Sequence, residues 1–180
     1  MKVVAVLGSA NENGSSSSLA REVLRGAKAA GHETIVYRLD KMNVHGCQGC
    51  GFCRKNQKDC RIQDDLTAYW KDLHQCGALI LSSPNYYSQV AGPMITFMNR
   101  HYCLTDEKGI CRLHPGIKLV GVFAQGNTDE KAYLAQYNWF LGIFRSKGMV
   151  LTDTLICAGE QKLTVDSPLM KKAFATGKAL

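Results

Sequence analysis

Along the chain, short continuous apolar runs alternate with stretches whose apolar residues recur every three or four positions, and each kind of pattern predicts an element. KVVAVLG (2–8) is apolar, rich in β-branched residues and closed by glycine, as expected of a strand buried on both faces. SSLAREVLRGAKAAG (17–31) puts Leu19, Val23, Ala27 and Ala30 on one helical face and stops at Gly31. ETIVYRL (33–39) reads as a second strand, DDLTAYWKDLHQC (64–76) as a helix behind an acidic cap, and GALILSS (77–83) as a third strand. GPMITFMNRH (92–101) opens a helix with proline in its first turn, and YCLTDEKGICRLHPG (102–116) is a polar connection expected at the surface. A fourth strand, IKLVGVFA (117–124), is followed by a long amphipathic helix, DEKAYLAQYNWFLGIFRSKG (129–148), and a fifth strand, MVLTDTLIC (149–157). The stretch SPLMKKAFATGKAL (167–180) closes as a helix.

Strands alternating with helices imply parallel β-α-β units with right-handed crossovers. The expected fold is therefore α/β, a three-layer doubly wound sheet of five parallel strands. It should form one domain over residues 1–180, with a cysteine-rich loop at 46–61 and neither linker nor repeat. Ligands of such sheets bind beyond the carboxyl ends of the strands, near the point where strand order reverses. That singles out the loops after the first, third and fourth strands.

Composition narrows the class. Hydrophobic residues at 46% and charged residues at 21% are ordinary for a globular domain, and no apolar run approaches the ~20 residues of a membrane span. The apolar start is too short for a signal peptide, so a cytoplasmic location is expected, and eight cysteines then point to metal or redox chemistry. The net charge is +7, but no element carries a basic stripe with interleaved aromatics. Nucleic acid is not expected as a partner; a surface favouring anionic cofactors and substrates is.

The loop GSANENGSSSSL (8–19) has neither the lysine of a triphosphate loop nor the glycine spacing of a dinucleotide fingerprint. It should bind a singly substituted phosphate through backbone N–H groups, serine hydroxyls and a helix N-terminus. In SSPNYYSQVAGPMITFMNR (82–100), a proline and two tyrosines offer an apolar wall beside backbone amides, suited to a planar hydrogen-bonding ring. AQGN (124–127) adds glycine-permitted backbone approach.

These stretches, in this order and spacing, resemble the flavodoxin-like NADPH-dependent FMN reductase superfamily over nearly the whole chain. The resemblance implies FMN, with Ser9, Asn11, Ser15, Ser16 and Ser17 around the phosphate, Pro84, Asn85, Tyr86 and Tyr87 facing the ring, and Gln125, Gly126 and Asn127 at its other edge. Ala10 stands where the family commonly has proline, and Ser15-Ser16 where it commonly has Asn-Thr; both departures leave donors in place.

CQGCGFCRKNQKDC (47–60) carries Cys47, Cys50 and Cys53 two residues apart and Cys60 six further on. A cubane needs thiolates converging from one compact loop, and Gly46, Gly49 and Gly51 permit the sharp path. Arg54, Lys55, Lys58 and Arg61 would offset the thiolate charge, whereas zinc more often takes two separated pairs and His45 reads as surface. Four reduced thiols, or adventitious disulfides, are the other reading of the same residues. The spacing resembles the iron–sulfur flavoproteins of the superfamily, which implies a [4Fe–4S] cluster on these four cysteines. Cys76 and Cys157 read as small buried hydrophobes, and Cys103 and Cys111 as a candidate pair.

The expected activity is an FMN-dependent oxidoreductase passing electrons from NAD(P)H or a ferredoxin-like protein to a small acceptor, with a cluster-free reductase as the alternative. No catalytic nucleophile is required. A flavodoxin-type carrier is disfavoured by the positive charge, and a receiver domain by strand ends that read Gly-Ser and Ser-Ser without acids. Homodimers or homotetramers are expected, with the tyrosine pair, Met94, Phe97 and Met98 as an apolar contact set and no membrane partner.

Overall fold

The first apolar run forms β1 (Lys2–Leu7), and five of its six residues are buried, which places it inside a sheet rather than at an edge. In the computed structural model, which describes residues 1–160 and 163–180, β1 lies between β2 (Glu33–Arg38) and β3 (Cys76–Tyr86). A two-residue strand, β4 (Gln89–Val90), folds back antiparallel on the end of β3. Beyond β3 come β5 (Lys118–Gln125) and β6 (Val150–Ala158), so the parallel order is β2-β1-β3-β5-β6. This is the expected doubly wound sheet, with order reversing between β1 and β3.

The third strand runs three residues beyond its expected end. Pro84 pairs with Ala124 on the last rung shared with β5, where a missing N–H costs least. The chain then turns at Tyr87 and Ser88, both at positive φ (54° and 64°), into β4. Two consecutive left-handed residues are the signature of a type I′ hairpin, which normally uses Asn-Gly.

Helices α1 (Ser15–Ala29) and α6 (Pro168–Lys178) cover one face. They meet backbone to backbone: a Cβ on Gly177 would stand 1.8 Å from the Val23 carbonyl oxygen, and one on Gly26 2.1 Å from that of Phe174. The five-residue α2 (Phe52–Asn56) lies in the cysteine-rich segment, and α3 (Leu66–Gln75), α4 (Gly92–Arg100) and α5 (Leu134–Arg145) cover the other face. The fifth helix starts later than its amphipathic pattern suggests. Asn127 Oδ1 accepts from the Asp129 N–H, and Asp129 Oδ1 from that of Lys131, so local side-chain turns hold the backbone out of the helix. Met94, Phe97 and Met98, expected on an oligomer surface, fill the core beneath α3 and α5 instead.

At the end of α4 a turn of 3₁₀ helix (His101–Leu104) carries a buried histidine. Tyr69, Trp70, Phe97 and Phe144 pack edge-on around the His101 ring. Nδ1 lies 2.9 Å from the Phe97 carbonyl, so it carries the proton, and Nε2 accepts from the Tyr69 hydroxyl at 2.8 Å. Burial drives the His101 pKa from 6.5 down to about 4.

Between those values the unfolded chain binds a proton that the folded chain refuses. Stability is therefore complete above pH about 6.5 and falls as the pH drops toward about 4, by about 3 kcal/mol in all. Urea denaturation at pH 7 and pH 4.5 measures the loss. His101→Gln, which cannot titrate but still offers Tyr69 an acceptor, should flatten the dependence.

Candidate active site

Residues 8–14 turn sharply off β1 because the side chains bond back onto the loop. Ser9 Oγ accepts from the Asn11 N–H at 3.1 Å and donates to the Asn11 carbonyl at 3.2 Å. Ser17 Oγ donates to the same carbonyl at 3.0 Å, and Asn11 Oδ1 accepts from the Asn13 N–H. Gly14 then begins α1 with no side-chain cap and no acid in the first turn. The first intrahelical donor is Ser18, to the Gly14 carbonyl, which leaves the N–H groups of Ser15, Ser16 and Ser17 without a helical acceptor. A helix end left open in this way is an anion seat.

Opposite stands the β3–β4 hairpin. The Ser83 hydroxyl donates to the Pro84 carbonyl (2.8 Å) and accepts from the Ala91 N–H (2.9 Å), which braces the hairpin base. Tyr86 is exposed beside the cleft and Tyr87 stands wholly in solvent. From β5, Gln125 spends its side chain inward: Nε2 donates to the carbonyls of Asn127 (3.2 Å) and Asp129 (2.7 Å), and Oε1 accepts from the Tyr137 hydroxyl. The Tyr137 ring stacks on Phe123 at 4.1 Å, and burial pushes its pKa up to about 12, so the hydroxyl stays a donor. Gln125 thus holds the loop that carries Gly126, where a Cβ would meet nothing within 4 Å.

These loops enclose a cleft of about 310 Å³ at the carboxyl edge of the sheet. Of the twelve residues singled out from the sequence, Ser9, Asn11, Ser15, Ser16, Pro84, Asn85, Tyr86, Gln125 and Gly126 line it. Ser17 and Asn127 act one layer back, tying loops, and Tyr87 points away. Gly14, Ala124, Gly159 and Glu160 line the cleft as well and were not singled out. Gly159, at φ 68°, donates its N–H to the carbonyls of Gln125 and Asn127. The signal for it was a glycine right after the fifth buried strand, the same pattern that marked Gly8.

The four cysteines are not gathered. Cys47 and Cys50 are exposed, Cys53 is buried against the core, and Cys60 is half-buried. Among the described residues no three His, Cys, Asp or Glu side chains are grouped as metal ligands. Burial also pushes the Cys53 thiol up. Arg54, expected to offset thiolate charge, is turned to the Asp106 carbonyl (2.9 Å) and the Tyr102 hydroxyl (2.8 Å), while Arg61 lies over the Phe52 ring. Cys103 and Cys111 are both free, and Cys111 Sγ donates to the Lys147 carbonyl at 3.2 Å. No described helix is long and apolar enough to cross a membrane.

Compared with known proteins, residues 1–143 match the NADPH-dependent FMN reductase family. An iron-sulfur flavoprotein of Methanocaldococcus jannaschii is 32% identical over 142 residues, covering 78% of this chain and 72% of that one. A second, from Archaeoglobus fulgidus, is 31% identical over 100 residues, 56% of this chain but only 45% of that protein. Among solved structures, an azoreductase from Bacillus anthracis superposes over 100% of both chains with a TM-score of 0.75 at 13% identity, a likeness of fold.

The hairpin turn stores strain, because Tyr87 and Ser88 both occupy a conformation that suits glycine or asparagine. Ser88→Gly should relieve it and stabilise the fold by about 0.5–1 kcal/mol, read as a rise in Tm.

Proposed function

We propose, since the chain belongs to the NADPH-dependent FMN reductase family, that the strand-end cleft of this flavin-dependent oxidoreductase holds FMN and takes electrons from NAD(P)H for a small acceptor. One observation carries the reading: an uncapped, acid-free helix N-terminus faces the Tyr86 hairpin and the open Gly126 backbone across the switch point. The residues fit the cofactor. Three free N–H groups suit one terminal phosphate, and no second phosphate loop is present for the pyrophosphate of FAD. The space a Cβ would fill at Gly126 admits a ring edge close to the backbone, and Pro84, Asn85 and Tyr86 form the wall opposite.

Bound FMN supplies the hydride and one-electron chemistry; the chain orients it and shapes its surroundings. Ser9 and Ser17 fix the loop so that the N–H groups of Ser15 to Ser17 converge. Gln125 and Tyr137, locked to each other at 3.0 Å, keep the Gly126 backbone still, and Tyr86 excludes water from one side of the cleft. NAD(P)H should bleach the flavin directly; bleaching by a reduced ferredoxin alone would transfer the donor role to a protein partner. Ser15→Asp puts a carboxylate where the phosphate is proposed to sit. It should weaken FMN binding at least tenfold, by about 1.4 kcal/mol or more, yet stabilise the flavin-free fold by about 0.3–1 kcal/mol through the helix dipole. Unchanged FMN affinity would remove the phosphate from this helix.

The cysteine spacing and the relatives named iron-sulfur flavoproteins favour a second reading, in which residues 46–61 close around a [4Fe–4S] cluster. As placed, no three of these sulfurs are grouped among the described residues, and none of the four cysteines lines the strand-end cleft. Anaerobically prepared protein should then contain about four irons per chain, and Cys50→Ser should remove the iron while leaving FMN bound. Iron-free protein from strictly anaerobic, iron-supplied expression leaves four thiols in a cluster-free reductase.

A further inference from the structure

Arg100, the last residue of α4, is fully buried, and so is the side chain of its ion-pair partner Asp64. A buried ion pair is a poor source of stability, since desolvating both charges offsets most of their attraction. Its value here is positional. One guanidinium nitrogen, Nη1, donates to the His45 carbonyl at 2.8 Å and to Asp64; Nη2 donates to Asp64 Oδ1 at 3.3 Å and to the Ile62 carbonyl at 3.4 Å. Asp64 in turn accepts from the N–H groups of His45 (3.0 Å) and Leu66 (3.1 Å). Residues 45 and 62–66 bracket the four cysteines, so both ends of that excursion are drawn onto a single charge pair. Arg100 Nε is buried without a partner in the described hydrogen bonds.

The polar connection after α4 backs the same excursion. Arg112 Nη1 donates to the Gln57 carbonyl (2.9 Å), its Nη2 to Asp59 Oδ1 (2.7 Å), and its Nε to the Cys103 carbonyl (3.1 Å). At its other end α4 is fastened to the cleft. Ala91, its N-terminal flank, donates to Ser83 at the hairpin base, and Met94 packs where Gly8 lacks a side chain. A helix of nine residues is about 14 Å of rigid rod, so hairpin and excursion are held at the two ends of one strut.

We propose that Arg100 is a positioning residue: through Asp64 it sets the shape of the cysteine excursion and fixes Cys53 and Cys60 relative to the cleft. The proposal requires neither iron nor flavin chemistry, so it stands or falls apart from the readings above. The chain's own cysteines report on it. Iron-free protein, with and without added FMN, is treated with iodoacetamide, and each cysteine's alkylation rate is followed by peptide mass spectrometry. In the unaltered chain Cys47 and Cys50 should react first, Cys53 and Cys60 slowly, and Cys76 and Cys157 slowest.

Arg100→Gln should speed Cys53 and Cys60 at least tenfold while Cys76 and Cys157 stay protected and the flavin stays bound. Arg100→Lys, which keeps the charge but not the fork, should fall between. The double variant Arg100→Gln/Asp64→Asn, which leaves neither charge uncompensated, should reproduce the pattern even where Arg100→Gln fails to fold. Unchanged rates at Cys53 and Cys60 in the double variant would overturn the proposal, as would acceleration of all buried cysteines together, the mark of general loosening.

Discussion

β1 and β3 lie hydrogen-bonded side by side along the whole of β1, yet the next strand after β1 is placed on one side of the pair and the next parallel strand after β3 on the other. Their carboxyl ends therefore release two loops that part, and a crevice opens between them. The polar lining of the cleft follows from that parting. The inner strands are buried on both faces, so neither face offers a ligand anything but side-chain hydrocarbon. At the strand ends, the helix after β1 presents three backbone N–H groups without a helical acceptor.

What the loop after β1 offers to the crevice is neutral, and the one charged residue lining the cleft among the described residues is Glu160. Serine hydroxyls, which first look like the phosphate ligands, are largely consumed in shaping the loop: Ser9 and Ser17 both bond Asn11, and Ser82 bonds the Ser16 carbonyl. What remains open is the main chain of Ser15 to Ser17, with the Ser15 and Ser16 side chains beside it. Backbone donors oriented by internal bonds need little reorganisation, and they carry no mobile charge that would attract a competing carboxylate at long range. The +7 net charge of the whole chain raises the local concentration of anions.

The strands and helices were legible because burial writes itself into residue type. A parallel sheet covered twice must be Val, Leu, Ile and Ala throughout, and VVAVL or ALIL can be little else. The cleft was legible to the degree that loops follow those strands, which is why nine of twelve candidates line it. Tyr87 stands in solvent rather than in the cleft of this chain, because the direction of a side chain depends on turn type, and a type I′ turn built from Tyr-Ser lacks the Asn-Gly that announces one. Met94, Phe97 and Met98 were misjudged because an apolar helix face looks the same whether its cover is another chain or its own α3 and α5. Gly159 and Glu160 escaped because only three strand-end loops were weighed, and these two residues, next after β6, line the cleft as well.

The least legible feature is the link between the strand-end cleft and the cysteine excursion. In sequence, Arg100 is one basic residue at a helix end, the usual place for a cation that answers the helix dipole. In space it leaves that role, because the helix ends against the excursion between β2 and α3 and Asp64 is already there. Burial alone would raise the Asp64 pKa, but the guanidinium and the His45 and Leu66 N–H groups hold it below the ordinary carboxylate value, so the pair stays charged inside the fold. A charged pair can be satisfied only by a narrow set of geometries, whereas apolar contacts tolerate many. The excursion contains little regular structure beyond the five residues of α2, and it has no β ladder to fix its course. Fixing it falls to directional bonds from outside, and three arginines on or beside it, Arg54, Arg100 and Arg112, supply them to its own carbonyls and those of its neighbour. The pair adds little to stability, and what it contributes is direction: it ties residues 45 and 62–66, the two ends of the excursion, to the end of α4.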